Sequence, residues 1–165
     1  MPDRYRRNSL RYPGYDYSQS GAYFVTIKTH MNLQWFGRVT DGVMSLSPQG
    51  EQVASAWLEL EDRFPGILLD EQVIMPDHVH GIVMLGADPA IPTDGLTLGV
   101  VVNSFKNIVL ATWRTGVQKS GWPRYEKPLW HRDYHERIVR NAIELDAYRE
   151  YIRGNPARWS ENRGG

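Results

Sequence analysis

Apolar and polar residues alternate along several short segments of the chain, and this alternation is typical of β-strands with one buried face. Six segments show the alternation or are short apolar runs bounded by turn residues: 22–30, 37–40, 43–46, 67–75, 80–85 and 134–139. The second and third segments flank Asp41-Gly42, a dipeptide that favours tight hairpin turns. Pro76-Asp77 separates the fourth segment from the fifth, so we expect these two to form neighbouring strands.

Two further segments repeat apolar residues at helical intervals, which predicts amphipathic helices. The first helix begins after Ser47, a favoured N-cap residue, with Pro48 at its first position, and it ends before residues 64–66. The second helix spans about Leu98 to Thr115. Each of these helices lies between predicted strands, so we expect both to cross a face of the sheet that those strands form.

A third helix is predicted near the end of the chain. Asn141 is a good N-cap residue, and Glu144 follows three positions later, which makes a capping-box pattern. The helix is expected to stop near Asn155, because Pro156 disfavours helical geometry in the residue before it.

The order of the predicted elements is β-α-β-β-α-β once the hairpin and the last helix are set aside. This is the ferredoxin-like order, an α+β class in which an antiparallel sheet carries its helices on one face. We expect residues 22–165 to form a single domain with an added hairpin and a C-terminal helix. Residues 1–21 are polar and aromatic, and we interpret them as an N-terminal arm.

Composition excludes several kinds of site and partner. The chain of 165 residues has no cysteine, which excludes disulfides, thiolate zinc sites and cysteine nucleophiles. No signal peptide and no apolar stretch of membrane-spanning length is visible, so a cytoplasmic protein is expected. The formal net charge of zero is unlike that of most nucleic-acid-binding domains, although the arm concentrates positive charge. Its arginines are either DNA contacts or part of a solvated tail: Arg4, Arg6, Arg7 and Arg11.

His78-Val79-His80 is the strongest chemical signal in the sequence. If a strand begins at His78, both imidazoles lie on one face of the sheet and Val79 enters the core behind them. Neutral imidazole is the commonest metal ligand, and two of them leave positions open for oxygen ligands, water or phosphate. Zinc, manganese and magnesium all fit these ligand types. The competing interpretation is a pair of surface histidines at a turn.

Tyr151 and Asn155 form a second candidate pair, because a spacing of four places both side chains on one face of a helix. A tyrosine oxygen is a poor nucleophile unless assisted, and a cation that polarises the target phosphate would provide assistance. Asn155 offers an amide oxygen as a further metal ligand. The spacing alone favours a plainer interpretation, in which Tyr151 packs with Tyr148 and Ile152 and Asn155 caps the helix.

Two further residues are candidates for contact with a phosphate or with the site. Lys106, in the segment SFKN of the second helix, is either a phosphate contact or a solvated helix residue. His135 lies in the predicted last strand, within reach of the site, and is left unassigned.

Several segments together resemble the transposases of the IS200-like kind, and within them the branch of REP-associated tyrosine transposases. The segments are, in order, RRNSLRYPGYDYSQSGAYFVTIKTH, VIMPDHVHGIVML, SFKN, LWHRDYHERIVRN and YREYIRGNP. They extend from Arg6 to about Arg158, and the ordered set is far more specific than any single motif. One departure is Asp77, where relatives often have asparagine, and we expect it to alter local hydrogen bonding more than chemistry.

The resemblance implies a ferredoxin-like fold and a divalent ion, Mg²⁺ or Mn²⁺, held by His78 and His80 with Asn155 completing the site. It also implies that Tyr151 attacks a scissile phosphate, forming a 5′-phosphotyrosine link and freeing a 3′-hydroxyl. The implied substrate is single-stranded DNA with hairpin structure, which in the REP branch comes from repeated palindromes. Tyr148 is a rival nucleophile, and Tyr151 is preferred because it matches the family's tyrosine and pairs with Asn155.

Two other functions remain open at this point. One is a phosphoesterase acting on a small nucleotide, although histidine-triad hydrolases need a third alternating histidine and Ile82 stands at that position. The other is a ferredoxin-like nucleic-acid-binding protein without catalysis. The sequence also leaves open whether the protein is a monomer or a homodimer and whether Tyr151 works in its own subunit.

Overall fold

The computed structural model describes residues 21–125 and 128–163, with side chains described as far as Trp159. The candidate DNA contacts of the arm, Arg4, Arg6, Arg7 and Arg11, lie outside these residues. Within the described ranges, no helix has the length and apolar character needed to cross a bilayer.

The described residues form six strands, a short 3-10 helix and four α-helices. The strands are β1 (Ala22–Lys28), β2 (Gly37–Thr40), β3 (Val43–Leu46), β4 (Ile67–Met75), β5 (His78–Leu85) and β6 (His135–Val139). The helices are α1 (Pro48–Arg63), α2 (Leu98–Lys119), α3 (Ala142–Arg153) and α4 (Asn155–Arg163), and the 3-10 helix is His30–Asn32. Without the β2–β3 hairpin and the last two helices, the order is β-α-β-β-α-β, which confirms the predicted α+β class.

Four strands form the main sheet in the order β4-β5-β1-β6, while β2 and β3 pair separately as a hairpin. Every neighbouring pair in the main sheet is antiparallel. The central strands β1 and β5 therefore have neighbours on both sides, and β4 and β6 are the edges. Because side chains alternate along a strand, each central strand contributes to both faces of the sheet.

The two faces of the sheet are covered by different helices. On one face, the side chains of Val25, Ile27, Val79 and Val83 pack with residues of α1 and α2 in the larger hydrophobic core. On the other face, a smaller cluster joins residues of β1 and β5 to α3: Phe24, Ile82, Met84, Leu145 and Ile152. The two crossover helices thus share one face, as predicted, and the C-terminal helix covers part of the other.

Two helix boundaries differ from the predicted ones. Helix α2 continues to Lys119, past the predicted end at Thr115, and Gly116 is buried inside it because the Trp122 ring lies where a side chain would project. Helix α3 ends at Arg153, close to the prediction, but a further helix begins at once at Asn155. Pro156 is accommodated in the first turn of that helix, where its missing N–H costs no hydrogen bond.

Candidate active site

His78 and His80 begin strand β5 and lie on the face of the sheet that α3 partly covers. In the pairing with β1, His78 is opposite Lys28 and His80 is opposite Thr26. The two imidazole ring centroids are 4.5 Å apart, and Val79 between them is fully buried in the larger core. The strand therefore holds the two rings side by side and anchors them through the intervening residue.

Each imidazole is oriented by a hydrogen bond at its Nδ1 atom. His78 Nδ1 lies 2.6 Å from a carboxylate oxygen of Asp77, and His80 Nδ1 lies 3.0 Å from the Thr26 hydroxyl. Because a carboxylate accepts, Nδ1 of His78 donates, and the Nε2 lone pair of that ring is then available to a ligand. The Thr26 hydroxyl can accept from Nδ1 of His80 or donate to it; when it accepts, Nε2 of that ring is available as well, which is the arrangement that orients metal-binding histidines in other proteins. Asp77 thus supplies the partner that orients His78.

The environment of His80 keeps its imidazole neutral. Burial, together with the nearby charges of His78, Lys28 and Arg158, lowers the pKa of His80 to about 3, although a hydrogen bond to the Val25 backbone raises it in part. A histidine must be neutral to bind a metal ion, so this ring needs no deprotonation before it can act as a ligand.

Tyr151 lies next to His80, near the end of α3. The tyrosine ring makes edge contacts with the rings of His80 and Phe24, at centroid distances of 5.6 Å and 5.8 Å. Tyr151 is 44% exposed, whereas its neighbour Ile152 is only 1% exposed. The plainer interpretation of Tyr151 as core packing is therefore wrong, and the core role belongs to Ile152.

Asn155 lies between two residues that contact the histidine pair. Tyr151, four positions earlier, contacts His80, and Trp159, four positions later, has its ring centroid 6.0 Å from that of His78. Asn155 and Trp159 belong to α4 and are four positions apart, so the buried Asn155 side chain lies on the side of that helix that carries Trp159. The interpretation of Asn155 as a C-cap is wrong, because Gly154 caps α3 and Asn155 begins α4.

Arg158 adds a positive charge beside the candidate nucleophile. Its guanidinium carbon lies 4.2 Å from the centroid of the Tyr151 ring, a cation–π contact, and its Nη2 donates a hydrogen bond to the backbone carbonyl of Tyr151. With Lys28 close enough to act on His80, the surroundings of the two imidazoles carry two cations. Such surroundings favour an anionic group such as a phosphate.

Tyr148 occupies a different position from Tyr151. Its ring stacks on Phe24 at a centroid distance of 4.7 Å, and the opposite neighbour of Phe24 is His80, at 5.1 Å. Phe24 therefore separates Tyr148 from the histidine pair, whereas Tyr151 contacts His80 itself. The geometry favours Tyr151 over its rival as the residue that acts together with the histidines.

Helix α3 is held on the sheet by ion pairs that the sequence did not predict. The register of β4 against β5 shifts between Leu69 and Gln72, and the two residues in this irregularity are Asp70 and Glu71. Arg149 makes two hydrogen bonds to Asp70, of 2.8 Å and 2.6 Å, and a third to Asp146 of 2.9 Å. The hydrogen bond to Asp70 raises the pKa of Arg149, which is only 4% exposed.

A second, more exposed ion pair continues this contact one turn further along α3. Arg153 Nη2 lies 2.7 Å from a carboxylate oxygen of Glu71. Two adjacent acidic residues in an apolar strand, and two arginines four positions apart on the last helix, were the available sequence signals. Only the irregular pairing of β4 lets consecutive carboxylates both meet the same helix, since side chains of a regular strand alternate.

Lys106 lies apart from the histidine pair. Lys106 belongs to α2, on the opposite face of the sheet, where burial lowers its pKa and its Nζ donates to the His131 carbonyl at 3.1 Å. Among the described residues, no group of three or more His, Cys, Asp or Glu is placed to hold a metal ion. A site at His78 and His80 must therefore take its remaining donors from other groups, such as the Asn155 amide.

The chain was compared with known protein families and with known protein sequences. No family model matches the chain. An uncharacterized protein of Haemophilus influenzae is 29% identical over 177 residues, covering 96% of this chain and 93% of its own length.

Two solved structures share the fold. A REP-associated tyrosine transposase bound to a REP hairpin superposes with a TM-score of 0.60 at 18% identity, covering 84% of this chain and 68% of the other. A candidate transposase from Deinococcus radiodurans superposes with a TM-score of 0.52 at 15% identity, covering 80% of this chain and 88% of the other. The resemblance seen in the sequence is thus confirmed in three dimensions: the chain has the fold of the REP-associated tyrosine transposases.

Proposed function

We propose that the protein is a transposase-like enzyme that nicks and rejoins single-stranded DNA through a covalent link to Tyr151. The observation that carries the proposal is the contact between a half-exposed tyrosine and His80, one of two adjacent, oriented imidazoles. The general activity in this proposal, DNA processing of the transposase kind, is supported by the fold shared with two transposase structures.

His78, His80 and Asn155 would hold a divalent ion, Mg²⁺ or Mn²⁺. The donor set fits such an ion, because both imidazoles are fixed through Nδ1 and the amide oxygen of Asn155 is a hard ligand. When bound, the ion would neutralise charge on the scissile phosphate and stabilise the leaving oxygen.

The chemistry of the chain's own residues is transesterification. The Tyr151 oxygen attacks the phosphorus, a tyrosine–phosphorus bond forms, and the bond from phosphorus to the 3′-oxygen breaks. The phenol proton passes to solvent, and the departing oxygen takes a proton to become a free 3′-hydroxyl. Because one phosphate ester replaces another, the bond energy is conserved, and attack by a 3′-hydroxyl on the phosphotyrosine reverses the step without ATP. Arg158 supplies positive charge where the phosphate approaches the tyrosine.

The proposed substrate is single-stranded DNA that forms hairpins from palindromic repeats. This partner is supported by the REP hairpin in one of the structures that share the fold. We propose further that Tyr151 acts within its own subunit, whether the protein is a monomer or a homodimer. Mixing Tyr151→Phe protein with His80→Ala protein should then restore no activity, and restored activity would indicate exchange of the helix between subunits.

The test is a denaturing gel of the purified protein after incubation with Mn²⁺ and end-labelled single strands from the flanks of its own gene. We expect a labelled band at the mass of the protein plus DNA for the natural protein and for Tyr148→Phe, and none for Tyr151→Phe. Cleavage without any covalent band would favour the phosphoesterase. Binding of the strand with neither cleavage nor a band would favour the non-catalytic binding protein.

A further inference from the structure

Three exposed, hydrogen-bond-donating side chains lie on the same face of the sheet as the histidine pair, but on strands β1 and β6. Lys28 is opposite His78, and Thr26, which is opposite His80, has His135 on its other side. Arg137 is opposite Phe24. Because side chains alternate along a strand, all three project on the face that carries His78 and His80. We call Lys28, His135 and Arg137 the basic strip.

Helix α3 packs on part of this face without burying the basic strip. Its ion pairs are with Asp70 and Glu71 of β4, the edge of the sheet farthest from β6. All three members of the basic strip are exposed. The strip therefore stays accessible beside the helix, so that a ligand can run across β1 and β6.

The basic strip continues into an open groove of about 750 Å³ beside β6. Arg137 lines the groove together with Arg140, Tyr134 and Tyr148. Tyr148 stacks on Phe24, and Phe24 also contacts Tyr151, so the groove and the candidate nucleophile are joined through one aromatic side chain. The aromatic rings of the groove can stack on bases, and Arg137 can pair with a phosphate at its margin, but Glu136 is also part of the lining.

We propose that the basic strip binds the backbone of single-stranded DNA next to the phosphate that Tyr151 attacks. The inference rests on the proposed function for the position of that phosphate. Neighbouring strands are about 4.8 Å apart, so His135 lies roughly 10 Å across the sheet from His80. A strand whose scissile phosphate sits at the histidines then has its flanking nucleotides over β1 and β6. Lys28 and Arg137 contribute charge, and His135 contributes an imidazole N–H donor.

The charges around the strip are consistent with this ligand. Glu136 alternates to the other face of β6 and lines the groove from there. Glu144 pairs with Arg140 at 3.3 Å, and Asp77 is engaged with His78 at 2.6 Å. The carboxylates nearest the strip therefore either point away from it or are paired, and Glu136 places its negative charge in the groove and not on the strip.

The test compares two variants that each lose two positive charges. Lys28→Gln with Arg137→Gln removes the charges of the strip, and Arg114→Gln with Lys119→Gln removes two from α2, on the opposite face. Binding of a labelled hairpin oligonucleotide with single-stranded tails is measured in EDTA at several salt concentrations. We expect the strip variant to bind at least about tenfold more weakly at low salt, with the log–log salt slope smaller by about 1.4, or about 0.7 for each lost contact.

The control variant should bind like the natural protein. Equal weakening of DNA binding in both variants, or unchanged binding by the strip variant, would contradict the proposal that the basic strip binds DNA. The proposed function can fail separately. If the natural protein forms no covalent adduct but the strip variant still binds more weakly than the control, DNA binding by the strip is supported and catalysis by Tyr151 is contradicted. If the adduct forms and the two variants bind alike, only the strip is wrong. Thermal unfolding of both variants checks that their folds are equal.

Discussion

The two faces of the central sheet are built from the same strands but have opposite characters. Toward α1 and α2, the side chains of the central strands β1 and β5 are mostly apolar and buried, and Gly81 lies so close to the Trp57 ring that a side chain there would meet it. Toward α3, the same strands carry Thr26, His78 and His80 at one end of a small apolar cluster. Alternate residues of one strand thus have different roles: one set packs in the larger core, and the other set includes the candidate site residues.

This contrast predicts that neighbouring positions of one strand respond to substitution in different ways. Changes on the face toward α1 and α2 should lower the free energy of unfolding and reduce activity only through loss of folded protein. Changes at the histidine end of the other face should reduce metal binding or DNA processing while the unfolding free energy changes little. Substitutions in the ion pairs that dock α3 should lower the unfolding free energy by amounts between these two cases.

The largest effect is expected from Trp57→Ala, which empties a site at the centre of the larger core. Removal of a buried aromatic side chain of this size costs about 3–5 kcal/mol in unfolding free energy. Urea denaturation measures the loss, and Trp57→Phe is the control, because within the described residues the indole N–H has no hydrogen-bond partner to lose. A loss below about 1 kcal/mol for the alanine variant would show that this core tolerates a cavity, contrary to its close packing.

The next effect is expected from Arg149→Leu, which leaves the buried Asp70 carboxylate without its cation. Loss of one partner from a buried pair costs about 3 kcal/mol or more, and replacing Asp70 by leucine as well should recover much of the cost. Arg153→Leu removes the more exposed pair with Glu71 and should cost less than about 1 kcal/mol. Equal losses for the two arginine variants in urea denaturation would argue against a special role for the Arg149 contact.

The smallest effect on stability is expected from Thr26→Val, which removes the hydroxyl that orients His80. The unfolding free energy should fall by only about 1 kcal/mol, the usual net value of one hydrogen bond. Manganese affinity, measured by titration calorimetry, should fall by roughly 10- to 100-fold, as is typical when the partner of a metal-binding histidine is lost. Thr40→Val, at an exposed position of the hairpin, is the control. Unchanged affinity in the Thr26 variant would contradict the proposal that the Thr26 hydroxyl orients His80 for metal binding.

Much of the fold was predictable because it follows from local patterns. The alternation of residues 22–30 and the apolar runs on either side of Pro76-Asp77 predicted strands β1, β4 and β5, and the caps Ser47 and Asn141 predicted the starts of two helices. The spacing of His78 and His80 was sufficient to place both imidazoles on one face, since a strand has only two faces.

Other features could not be predicted because they depend on contacts between distant segments. The irregular pairing of β4 that turns Asp70 and Glu71 toward α3 has no local sequence pattern that marks it. The position of His135 beside Thr26 depends on which strand pairs with β1, and this pairing was not specified by the sequence. Pro156 predicts the end of a helix, but proline is also favoured in the first turn of a helix, and the sequence does not show that helix α4 begins there.

Mass spectrometry of the covalent product can identify the residue that attacks DNA. The natural protein is incubated with Mn²⁺ and a hairpin strand, the adduct is digested with nuclease and trypsin, and the modified peptide is sequenced. We expect a nucleotide remnant on Tyr151, the tyrosine whose ring contacts His80. A remnant on Tyr148, on any other residue, or on none would contradict the assignment of Tyr151 as the nucleophile.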